Sequence, residues 1–77
     1  MTEKSLGEMQ VGEKGSVSRI AGDGQVRRRL LDMGVTPRAV VAVERIAPLG
    51  DPIWIRLRGY QLSLRKHEAA GVFVEVA

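Results

Sequence analysis

Arg27-Arg28-Arg29 is the densest cluster of charge in the 77 residues, and it stands just after Gly22-Asp23-Gly24. Glycines at the start of a helix let backbone amides approach a phosphate, and a run of arginines can lie along a phosphate backbone. Neither pattern is complete. The third glycine of a dinucleotide fingerprint would fall at Arg27, and no Lys-Ser or Lys-Thr pair follows as a phosphate-binding loop requires. The glycines therefore read as a turn, with Asp23 as the N-cap of a helix. At about 100° per residue the three arginines fan around that helix, Arg28 opposite the stripe Val26/Leu30/Met33 and Arg27 and Arg29 at its flanks. That is a solvated or protein-facing surface whose aliphatic stems cover the core edge. Arg28 also stands four residues before Asp32, the spacing of a helical ion pair.

Metal and catalytic chemistry have little to work with. His67 is the one histidine and there is no cysteine, so Glu68 beside it leaves the pair short of the ligand count of a transition-metal site. Met33 falls on the helix stripe and Met9 reads as a packing residue, the usual use of a single methionine. No serine or threonine has a histidine and an acid at a recognisable spacing, and the carboxylates are scattered singly. The expectation is a protein that is not an enzyme, with no catalytic residues, no metal ligands and no cofactor. Trp54 and Tyr60 are the only tryptophan and tyrosine. Base-stacking platforms are thus mostly missing, and nucleic acid is not the expected partner. Trp54 alternates onto the outer face with Arg56 and Arg58, where it either contacts a partner or covers a barrel end.

Length and composition bound the rest. A chain of 77 residues builds one modest core, read as a single domain over residues 1–77, stabilised by packing without disulfides. Apolar runs such as residues 39–43 and 72–74 fall far short of a membrane span of roughly 18 residues, so no membrane insertion is expected. Residues 1–6 have no apolar run after their lysine, unlike a secretory signal, and the reading is cytoplasmic. The net charge of +3 is uneven, with three basic against four acidic residues up to Val26 and nine against five from Arg27 onward. A tilt of that size fits a nucleic acid, an anionic membrane surface or an acidic protein equally.

The elements that must position these side chains are mainly β. Glycines at 7, 12 and 15 break up the opening, and residues 16–21 have the β-branched content of a first strand. The helix follows, ended by Gly34 at its C′ position. Residues 39–46 form a second strand, with Val41 and Val43 on one face. Pro48-Leu49-Gly50-Asp51-Pro52 turns into a third, where Ile53, Ile55 and Leu57 alternate with Trp54, Arg56 and Arg58. After a turn at Gly59, Tyr60, Leu62 and Leu64 alternate with polar residues, residues 66–70 form a helical turn, and Val72, Val74 and Val76 make a fifth strand. Five short strands with tight connections favour a small closed or partly open barrel. Val17, Leu30, Val41, Val43, Ile55, Leu62, Leu64 and Val74 are its expected core.

The order of the pieces carries a resemblance. Leu6, Met9 and Gly12, then Val17 and Ile20, then Leu30, Leu31, Met33-Gly34-Val35-Thr36-Pro37, then Ala47-Pro48-Leu49-Gly50-Asp51-Pro52, then Leu62, Leu64-Arg65-Lys66, Ala69, Val72 and Val74 resemble the FeoA family of ferrous iron transport accessory proteins over nearly the whole chain. The resemblance implies an SH3-like barrel. It further implies a cytosolic regulatory or assembly role on the cytoplasmic side of FeoB, a membrane transporter with a GTPase-type domain. The different-class alternative is a small basic barrel that binds RNA or ribosomes. One departure stands out: the family usually follows Pro37 with glycine, where this chain has Arg38, so the turn is either strained there or of another type. The expected partner surface is Arg27, Arg28 and Leu31 on the helix, Leu49 at the hairpin tip and Trp54 on the outer face. Leu31 lies about 140° from Val26 on the helical wheel, off the inward stripe and among arginines. It either anchors a partner or packs near Met9.

Overall fold

A computed structural model describes residues 2–22 and 24–77. Asp23, the expected helix cap, lies outside them. The described residues form one antiparallel sheet of six strands in the order β1-β6-β2-β3-β4-β5. In chain order these are β1 (Thr2–Ser5), β2 (Lys14–Ile20), β3 (Val40–Ile46), β4 (Ile53–Leu57), β5 (Tyr60–Leu64) and β6 (Val72–Val76). Helix α1 (Gly24–Asp32) follows β2, and the short α2 (Lys66–Ala69) precedes β6.

Five strands were expected and the sixth, β1, is the difference. Its sequence Thr-Glu-Lys-Ser has neither alternation nor β propensity. It is a strand because β6 offers it a partner edge, with Thr2 opposite Val76 and Ser5 opposite Phe73. A 3₁₀ turn at Leu6–Glu8 then redirects the chain. The Ser5 hydroxyl accepts from the Gly7 amide (3.1 Å) and the Glu8 carboxylate from the Ser5 amide (3.3 Å), and the turn drives Leu6 and Met9 into the interior.

The inward faces of β2, β3, β4, β5 and β6 supply Val17, Val41, Val43, Ile55, Leu64 and Val74 to the core, joined by Leu30 from α1. Leu62, expected with them, is only half-buried and packs against the core from its margin. Ile53, Leu57, Val35, Ala39, Ala69 and Val72 complete the packing. Strands β2 and β6 approach so closely at Gly15 that a Cβ there would stand 2.0 Å from the Glu75 carbonyl oxygen.

Helix α1 fastens along the open side of the sheet. Gly34 (φ 96°) ends it, with the Val35 amide donating to the Leu30 carbonyl (2.9 Å) in a Schellman closure. The Tyr60 hydroxyl, at the start of β5, donates to the Met33 carbonyl. Arg29, further back on the helix, reaches α2 just beyond the end of β5.

Candidate functional site

The three arginines of α1 divide into two kinds. Arg27 and Arg28 are exposed, and the expected Arg28–Asp32 pair does not form. Arg29 instead pairs with Glu68 at 2.7 Å. Glu68 is 1% exposed, and its other carboxylate oxygen accepts the Arg65 amide at 2.9 Å, so one buried carboxylate caps α2 and holds α1 against it. Sequence reasoning noticed Glu68 only as the neighbour of His67. The Arg29 partnership joins segments far apart in the chain and leaves no short-range spacing to read.

Leu31 is half-buried and packs against the core together with Val26 and Met33. The inward face of α1 is therefore wider than a strict stripe, which is usual for a surface helix. Of the two readings of Leu31, the structure favours packing.

Leu49 is the most exposed large apolar residue among those described, at 92%. Its turn is built by Pro48 and Gly50: the Gly50 amide donates to the Ala47 carbonyl (2.7 Å), Gly50 has φ 83°, and the Ala47 amide donates to the Pro52 carbonyl (3.1 Å). The Asp51–Pro52 bond is cis. Asp51 accepts the Lys66 amide at 3.1 Å, which ties the hairpin to the start of α2. Both the hairpin, through Asp51, and α1, through Arg29, are thus tied to α2.

Trp54 is half-buried on the outer face of β4. A bulge between Val43 and Arg45 brings Arg45 opposite it, and the guanidinium carbon lies 4.6 Å from the ring centroid. Arg56, expected beside Trp54, turns to Glu44 (2.7 and 3.2 Å), which Gln61 also approaches (3.0 Å). These bonds hold the Glu44 carboxyl below the ordinary glutamate range. Glu13 is lowered similarly by the Gln10 amide and Lys4.

Two shallow grooves of about 350 Å³ each flank these features, one lined by Asp51, Pro52, Ser63 and Arg65, the other by Gln25, Val26 and Arg29. His67 is exposed on α2, and among the described residues no group of three or more histidines, cysteines or carboxylates is placed to hold a metal ion. No described helix is long and apolar enough to cross a membrane. The described surface carries rigid turns, the exposed Leu49, and guanidinium groups, those of Arg27 and Arg28 among them, that pair with no described carboxylate.

The model of the FeoA domain family matches residues 4–76. The chain belongs to the FeoA family. It is similar to a FeoA-like protein from Clostridium acetobutylicum, 45% identical over 99% of this chain and 90% of that one, with a TM-score of 0.89. It is 37% identical over 71 residues to the Fe(2+) transport protein A/Fe(2+) transporter FeoB fusion protein of Porphyromonas gingivalis, covering 92% of this chain but only 8% of that protein. The chain therefore spans a small part of that relative's length. The zinc-complexed FeoA of Stenotrophomonas maltophilia, a prokaryotic SH3 domain protein, superimposes over 94% of this chain and 89% of that one with a TM-score of 0.80 at 22% identity. At that identity the likeness concerns the fold alone, and it makes the architecture SH3-like. The FeoA family is a ferrous iron transport accessory family, and the fold, the strand order and the turn motifs agree with membership in it.

Proposed function

We propose that this FeoA-family chain is a cytoplasmic accessory protein of ferrous iron uptake that acts by binding the cytoplasmic side of a FeoB-type transporter. The observation that carries the reading is the fusion relative, in which a segment similar to nearly all of this chain shares one polypeptide with FeoB. Tethering two modules raises their effective concentration, an arrangement useful to parts that associate. A surface with rigid turns, an exposed leucine and exposed guanidinium groups supports a binding role.

Leu49 is the proposed anchor of the contact, with Arg27 and Arg28 as its charged rim and Trp54, under Arg45, as a flanking contact. Leu31 supports the helix from beneath. Because proline and glycine fix the turn that presents Leu49, seating it in a partner loses little further entropy. Detergent-solubilised FeoB retained on the immobilised protein, and released by Leu49→Asp, is the expected result. A folded Leu49→Asp variant that retains FeoB as well as the parent moves the contact elsewhere, and no retention by the parent rejects the FeoB reading.

A further inference from the structure

Two described residues other than glycine have positive φ, and both are arginine: Arg38 at 77° and Arg58 at 51°. Arg38 occupies the third position of the turn Thr36-Pro37-Arg38-Ala39, closed by the Ala39 amide donating to the Thr36 carbonyl (3.0 Å). Proline second and a positive φ third make a type II turn, whose third position suits glycine. Arg58 and Gly59 (φ 85°) form the two-residue connection of the β4–β5 hairpin, a type I′ turn whose first position suits asparagine, aspartate or glycine. Glycine would hold either backbone at lower cost, so the turn geometry itself gives no reason for arginine. A side chain kept where its own backbone is strained points to a use for that side chain.

The two turns meet at one end of the barrel. Arg58 Nη2 donates to Thr36 Oγ1 at 3.4 Å, and one step beyond the pair Val41–Leu57 stand Val40 and Arg58. Neither Arg38 nor Arg58 forms an ion pair with a described carboxylate. Val40, 63% exposed, stands on the outer face opposite Arg58, whereas Tyr60, paired with the buried Leu57, lies on the inward face with its hydroxyl donating to Met33. An exposed apolar side chain edged by guanidinium groups has the composition of a small recognition patch.

We propose that this end of the barrel, residues 36–40 and 58–59, docks a short carboxylate-rich segment of a protein partner, with an apolar side chain of that segment set on Val40. Guanidinium forks match carboxylates bidentately. A nucleic acid fits less well. Its phosphate track is met by several cationic side chains, whereas only Arg38 and Arg58 stand here and the nearby Arg56 is already neutralised by Glu44. The surface is separate from Leu49 and does not depend on the FeoB reading.

The test is a fluorescence-anisotropy titration of the whole protein with a labelled, glutamate-rich peptide carrying a central leucine, at about 0.15 M salt. The double variant Arg38→Gly/Arg58→Gly is expected to have an equal or higher unfolding midpoint and about tenfold weaker peptide binding. Lys14→Ala/Lys66→Ala, with the same loss of charge at two exposed lysines away from this end, is expected to bind within about twofold of the parent. Should the glycine pair fail to fold, asparagine at both positions tolerates the same backbone and serves instead. Equal binding by the parent and the folded double variant overturns the proposal, as does equal loss in the lysine control. No binding of the peptide to the parent, or preference for a single-stranded RNA over the peptide, also overturns it.

Discussion

Arg29 and Glu68 show how unequal the two ends of one ion pair can be. The Glu68 carboxylate is buried, while the Arg29 side chain is 61% exposed. Removing the arginine leaves a buried charge with only the Arg65 amide; removing the carboxylate leaves a guanidinium that water solvates. Arg29→Ala is therefore expected to cost about 1–3 kcal/mol and Glu68→Gln less than about 1 kcal/mol, by urea unfolding of each variant. The same scale decides Arg38. Its left-handed backbone costs about 1–2 kcal/mol relative to glycine, partly offset by glycine's greater freedom when unfolded. Arg38→Gly is expected to stabilise the fold by about 0.5–1 kcal/mol, and a loss of stability would show that the Arg38 side chain holds the turn. For Glu13 and Glu44, whose carboxyls are held below the ordinary glutamate value of 4.5, the folded state gains stability above that value and loses it as pH falls through the lowered values. Acid should lower the unfolding midpoint, and Glu44→Gln should flatten that dependence, weakly and less so in high salt, because both groups face solvent.

At the scale of elements, β5 separates two leucines that the alternating pattern treats alike. Leu64 is fully buried, whereas Leu62 is half-buried on an edge strand. Leu64→Ala should cost about 2–5 kcal/mol and Leu62→Ala clearly less, as measured by denaturation; equal costs would mean that β5 is better covered than the structure has it. Most elements were legible. The helix, the four connections after it and the strands they join stand near their expected residues, because proline, glycine and strict alternation mark them locally. Strand β1 was not legible, since only β6 makes Thr2–Ser5 a strand. Leu31, for which the helical wheel left partner contact and packing both open, is half-buried against the core because the inner face of α1 is wider than a narrow stripe. The Arg29–Glu68 bond and the meeting of Arg38 with Arg58 at one end are tertiary facts that no spacing encodes.

For the whole molecule, a small barrel with shallow grooves and three rigid turns on its rim is suited to being held by something larger. The composition bounded that outcome by leaving out cysteine and all but one histidine, but it could not name the partner. Membership in the FeoA family makes a FeoB-type transporter the proposed partner, and the exposure of Leu49 makes it the proposed anchor. The most direct measurement is the affinity of the purified protein for a FeoB-type transporter in detergent or nanodiscs, read by titration for the parent and for Leu49→Asp. Saturable binding by the parent, weakened about tenfold or more in a variant of unchanged unfolding midpoint, is the predicted result. No saturable binding by the parent would contradict the account.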